Sequence, residues 1–164
     1  MSKAVLISIR PKWCEKIISG EKTIEVRKTR PKMNPPFKCY IYRSVQGGVI
    51  GEFVCDHIFE RIVRVGASCE PPKYCICDWN MDCTPLDTLL ADACLTKDEL
   101  EKYLDGGVGY GWHISNLRIY DTPRELREFY AVPNEVEVAL KAKPKPITRP
   151  PQSWRYVEEE RWND

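Results

Sequence analysis

Lys22, Glu25 and Arg27 stand within six residues, and a lysine, a carboxylate and a guanidinium at this spacing can do two kinds of chemistry. Held together, the two cations bind a phosphate or a carbonyl oxygen, while Glu25 fixes their geometry or accepts a donor from a base edge. In an enzyme, Glu25 instead activates water as a general base and Lys22 stabilises the oxyanion. As plain structure the trio is a salt-bridged strand edge, each exposed pair contributing about 0–1 kcal/mol.

The elements around the trio give it a face. Pro11 suits a first helical turn, Trp13 and Ile17 recur at helical spacing, and Gly20 stands where a helix ends in a left-handed residue. A strand then runs from Thr23 to Lys28. Side chains alternate along a strand, so Thr23, Glu25 and Arg27 share a charged face while Ile24 and Val26 point to a core. Lys22, at the turn, leans over the same surface.

Charge is distributed unevenly. Residues 1–43 hold eleven Lys and Arg against three Glu, a balance of +8 in a chain whose total is +1, so the remainder carries −7. Clustered positive charge attracts phosphate. Arg10, Lys12, Lys28 and Arg30 flank the trio and are candidates for backbone phosphate contacts. Trp154 and Tyr156 fall on one face of a closing strand, where they either stack on bases or pack in the core.

Eight cysteines are many for 164 residues, and Cys69, Cys75, Cys77 and Cys83 fall close together. Structural zinc sites present cysteine pairs about two to four residues apart, so this spacing argues for reduced thiols, with no metal or cofactor assigned. His113 beside Trp112 reads as a hydrogen-bonded structural histidine, and His57 has no assigned role. No apolar run approaches the roughly 20 residues that span a bilayer, and the N-terminus has the period of a strand and not of a signal peptide. A cytoplasmic chain without membrane contact is expected.

Along the chain, Lys3–Ile9, Phe37–Ser44, Val49–Val65, Val108–Tyr120 and Ser153–Val157 read as strands. Gly51 inside the long fourth region marks a bulge, a bend or the close approach of another backbone. The segment from Leu86 to Leu104 reads as a broken pair of helices, the second started by a Thr96–Glu99 capping box. Thr122, Pro123 and Glu125 predict a further short helix over 123–129 with Leu126 and Phe129 turned inward. Residues 66–85 read as a Cys-rich insertion or loop, and 143–151, with four prolines, as an extended connection.

The pattern Gly20-x-Lys22-x-x-Glu25-x-Arg27 after a short helix resembles the ASCH domain signature. Gly109-Tyr110-Gly111-Trp112-His113-Ile114-Ser115 and Arg149-Pro150-Pro151-Gln152-Ser153-Trp154 resemble segments of a bacterial and prophage-encoded branch. The resemblance implies a single α+β, PUA-like domain over 1–164, a small twisted β-barrel of five or six strands flanked by short helices. It also implies a cleft lined by Lys22, Thr23, Glu25 and Arg27 that receives RNA or a nucleotide-like ligand. One subgroup hydrolyses N4-acetylcytidine with a nucleophilic Thr where this chain has Glu25; Thr23 lies two positions away, and Asp92 is the nearest counterpart to its catalytic acid. Three functions follow as expectations: a nucleic-acid-binding module, a small amidohydrolase on a modified nucleoside using Lys22 and Glu25, and a protein-interaction domain with a vestigial cleft.

Overall fold

The computed structural model describes residues 2–65, 73–77, 83–84 and 86–160. The elements are β1 (Lys3–Ile9), α1 (Pro11–Ile18), β2 (Ile24–Arg27), β3 (Phe37–Arg43), β4 (Val49–Val65), β5 (Lys73–Cys77), β6 (Cys83–Thr84), α2 (Asp87–Ala93), α3 (Lys97–Leu104), β7 (Gly109–Arg124), a single 3-10 turn (Leu126–Glu128), α4 (Glu135–Ala139) and β8 (Trp154–Glu158). The strand order is β2-β7-β4-β3-β1-β8, with β5 added on β4 and β6 on β5. This is the expected α+β architecture, with six strands in its main path, and that path is open: among the described residues β2 and β8 are its ends. No helix among the described residues is long and apolar enough to cross a membrane.

The chain divides into two compact units. In the first (Met1–Glu15, Pro36–Val54, Asn116–Asp164), β1 lies between β3, parallel to it with Val5 opposite Cys39, and β8, antiparallel with Ile7 opposite Trp154. The near-continuous apolar run of β1 follows from this central place, since such a strand is covered on both faces. Ala4, Leu6, Tyr40, Val49, Phe129, Ile147 and Val157 form one core cluster, with the Tyr40 and Phe129 rings edge to face at 4.9 Å. Gly51 meets the expectation of close backbone approach: a Cβ there would lie 2.4 Å from the Arg118 carbonyl oxygen.

The predicted helix over 123–129 does not form. β7 continues through Arg124, and the capping box moves to Glu125 and Glu128 around the 3-10 turn. Among the described residues β2 pairs only as far as His113, so beyond it β7 is open on that side, where a proline without an N–H costs no ladder bond. The inward anchors hold, with Phe129 fully buried and Leu126 packed on its cluster.

In the second unit (Lys16–Pro35, Cys55–Ser115), α2 and α3 bury Leu86, Leu89, Ala93, Leu100 and Leu104 against Ile24, Val26 and Ile62. The capping box starts α3, Thr96 accepting from the Glu99 amide while the Glu99 carboxylate takes the Thr96 amide. Gly111 permits this packing, because a Cβ there would meet Ile24, Leu89 and Phe59 at 3.2–3.3 Å. Within the segment read as an aperiodic loop, Lys73–Cys77 pairs antiparallel with the end of β4, Val63 opposite Cys75, and Cys77 pairs Cys83. A long β4 offers an edge of N–H and C=O groups that any extended backbone can satisfy without hydrophobic alternation. Cys69 lies outside the described residues, and Cys75, Cys77 and Cys83 are described in their backbone alone.

Gly51→Ala forces a backbone shift in β4 or β7. We expect a loss of about 1–3 kcal/mol in urea unfolding with little change in m; wild-type stability would show that the strands separate there without cost.

Candidate functional site

The turn after α1 places Lys22. Gly20 adopts φ +80° and donates to the Ile17 carbonyl, and the Lys22 amide reaches back to the Lys16 carbonyl. β2 then pairs antiparallel with β7, Ile24 opposite His113, Glu25 opposite Trp112 and Arg27 opposite Tyr110.

Ile24 and Val26 enter the core as alternation requires, but the charged face is buried as well. Lys22, Glu25 and Arg27 are 2%, 7% and 8% exposed. One carboxylate serves both cations. Lys22 Nζ lies 3.2 Å from Glu25 Oε2, while Arg27 donates to Glu25 Oε1 through Nε at 3.0 Å and through a terminal nitrogen at 2.9 Å. Lys22 also donates to the Ala93 carbonyl at 2.6 Å. Ala93 ends α2, whose last carbonyls lack helical partners and carry the negative end of its dipole, so an ammonium is the fitting group there. A salt-bridged edge open to solvent is therefore not what forms; the trio is a buried, mutually bonded network.

The other expected residues are placed differently. Thr23 is half-buried and held through its backbone, its amide donating to the Asp92 carbonyl and its carbonyl accepting from Ile114. Asp92 thus meets this strand through main chain. Arg30 is engaged: it pairs with Glu60 and donates to the Pro31 and Met33 carbonyls. Lys28 is exposed, with its ammonium 5.0 Å from the centre of the Tyr103 ring. These residues all belong to the second unit.

The remaining candidates belong to the first. Arg10 and Lys12 are exposed, Arg10 accepting the first helical amides of α1 on its carbonyl and Lys12 lying 4.5 Å over the Trp13 ring. Trp154 and Tyr156 share a face as expected and pack on each other edge to face at 5.4 Å, both partly exposed, with Lys3 over Tyr156.

Two groups emerge that the sequence did not single out. Tyr103 is 39% exposed on α3, off the buried Leu100–Leu104 stripe, and burial raises its hydroxyl pKa, with Arg27 opposing and Glu25 adding to the shift. An aromatic residue outside a helix's apolar stripe was the signal that could have found it. Asp56 is the partner of His113, whose Nδ1 lies 2.6 Å from its carboxylate. This bond, with a smaller contribution from Ser115, holds the Asp56 carboxyl below its usual range.

Cys14, Cys39, Cys55 and Cys94 are free thiols, and burial pushes Cys55 up to about 12, which keeps it protonated and inert. Among the described residues no three His, Cys, Asp or Glu side chains gather to hold a metal ion.

The model of the ASCH domain family matches residues 7–103. The fold is similar to the crystal structure of ASCH from Zymomonas mobilis, with a TM-score of 0.60 and 18% identity over 95% of this chain and 88% of that one. Tyr-to-Phe and Ser-to-Ala mutants of that protein are similar too, each with a TM-score of 0.60, at 18% and 17% identity. They cover 96% and 95% of this chain and 92% and 89% of theirs. At these identities the likeness is one of fold. No curated protein matches the chain.

Removing the shared carboxylate leaves two cations buried side by side, whereas removing Lys22 leaves the Glu25–Arg27 pair intact. Glu25→Gln is expected to cost about 3–5 kcal/mol and Lys22→Met about 1–3, by urea unfolding. Equal costs would mean the carboxylate is not the centre of the network. Separately, His113→Ala should raise the Asp56 pKa toward about 3.9, read by carboxyl NMR titration. Because Asp56 is depressed when folded, the stability this bond contributes is present above that value and fades as pH falls through the folded one.

Proposed function

The chain belongs to the ASCH domain family, and from that premise we propose that it is a nucleic-acid-binding module, with RNA or an RNA-derived nucleotide as ligand. The observation that carries this reading is the shared Glu25 carboxylate, which fixes Lys22 and Arg27 in one geometry before any ligand arrives. A flexible cation gives up side-chain entropy when it clamps a phosphate or carbonyl oxygen; one already bonded to a buried acid has given it up on folding. Arg27, at 8% the most exposed of the three and followed by the exposed Lys28, is the group that meets the ligand. The basic N-terminal third supplies the longer-range attraction that draws a polyanion in.

The hydrolase reading is the less favoured. Both Glu25 oxygens already accept from Lys22 and Arg27, which makes the carboxylate a structural acceptor and not a group presented to water. Thr23, two positions from the place of the hydrolases' nucleophilic Thr, meets Asp92 through main chain, amide to carbonyl. The segments 109–115 and 149–154 support assigning the chain to a bacterial, prophage-borne branch.

The test is binding to short single-stranded RNA by fluorescence anisotropy across a salt series. Affinity should fall linearly with log salt, and Arg27→Gln should weaken it by about tenfold or more, the weight of one charge-assisted hydrogen bond, with the fold checked by circular dichroism. No salt-sensitive binding to any RNA or DNA overturns the proposal.

A further inference from the structure

We propose that Tyr103 is the stacking platform for a base of the bound strand, with Lys28 holding the adjoining phosphate; this rests on the reading of the Lys22–Glu25–Arg27 network as the binding site and names the ligand it takes. Lys28 follows Arg27 directly in the chain, its ammonium lies 5.0 Å from the centre of the Tyr103 ring, and both residues belong to the same unit as the network. Tyr103 is 39% exposed, although the residue one turn earlier on its helix and the one after it are core leucines. Its hydroxyl oxygen is bonded by the Lys28 amide, and Lys28 is the residue after Arg27, so the ring is tied to the strand that carries the buried network.

A rigid, half-exposed aromatic ring next to a fixed guanidinium is the arrangement that receives a flat, polar-edged, π-faced group. A nucleobase has all three properties, and a free phosphate or sugar does not. The Lys28 ammonium lies over the ring, 5.0 Å from its centre. Lys28 is exposed and carries a flexible stem, so an arriving base displaces the ammonium from the ring and leaves it beside the base's own phosphate. The helix itself sets no path for the backbone, since Asp98, Glu99 and Glu101 of α3 are set against Lys97 and Lys102; the phosphate is held by Lys28.

The experiment measures a fluorescein-labelled single-stranded oligoribonucleotide, the four nucleoside monophosphates and inorganic phosphate against the full chain and its Tyr103→Phe, Tyr103→Ala, Lys28→Ala and Arg27→Gln variants. Tyr103→Ala should weaken the oligonucleotide roughly 5- to 150-fold, the weight of one base stack, while Tyr103→Phe keeps the affinity because the ring is retained. Lys28→Ala should lower the salt slope by about one and leave ring-dependent binding in place. Nucleoside monophosphates should compete and inorganic phosphate should not. If Tyr103→Ala binds like wild type while Arg27→Gln loses binding, the stacking role is overturned and the network's role stands. Competition by inorganic phosphate as strong as by the monophosphates overturns it likewise, since the site then reads an anion alone. Absence of binding to every probe overturns both.

Discussion

The constraint on which the second unit depends is the cost of hiding charge. Removing a carboxylate or an ammonium from water costs several kcal/mol even after relaxation, and the pair's attraction offsets this only when geometry is good and the remaining donors are bonded. Glu25 meets the condition by serving Lys22 on one oxygen and Arg27 on the other. The supports extend outward from there. α2 must end at Ala93 to give Lys22 a carbonyl, β2 must pair with β7 in the observed register to turn Ile24 and Val26 to the core, and Gly111 must lack a side chain so that Leu89 of α2 can pack beside Ile24. A one-residue slip of β2 would exchange its core and charged faces and turn Ile24 and Val26 out of the core.

Such a network is poor value as a source of stability, since apolar residues of similar volume would often serve as well. Its use lies in order. Arg27 forks onto a single carboxylate oxygen, so its plane is set before a ligand arrives, and the neighbouring Tyr103 ring is set by the Lys28 amide. Recognition that begins from fixed donors and a fixed ring loses little entropy on binding. The same logic separates the basic residues by what they can offer. Arg30, bonded to Glu60 and to two carbonyls, is a structural brace of its loop, whereas Lys28, on the next exposed stretch, has its reach unspent.

Local chemistry decided what was legible. Periodicity and punctuation located β1, α1, β2, β3, β4 and β7, because apolar alternation, the Pro11 start and the Gly20 stop act over a few residues. The capping pair at Thr96 and Glu99 located α3 for the same reason. The Thr122–Pro123–Glu125 signal misled because a helix start and an edge strand tolerate the same proline, and pairing chose between them. The strand at Lys73–Cys77 was invisible because its partner is the end of β4, and a pairing across the chain leaves no local signal.

The candidate site divides along the same line. Sequence by itself determined that Glu25 and Arg27 share one face of a short strand after a helix end, with Lys22 at the turn before it and Ile24 and Val26 turned to the core, because strand alternation is a local property of the chain. It also determined the family, through a signature that spans eight residues. Only the tertiary structure decided that the charged face is buried, that the lysine's second partner is a carbonyl at the end of α2, and that Tyr103, more than seventy residues away in the chain, lies beside Arg27. Burial and partnership across such separations come from how helices and strands pack, and no spacing rule along the chain encodes them.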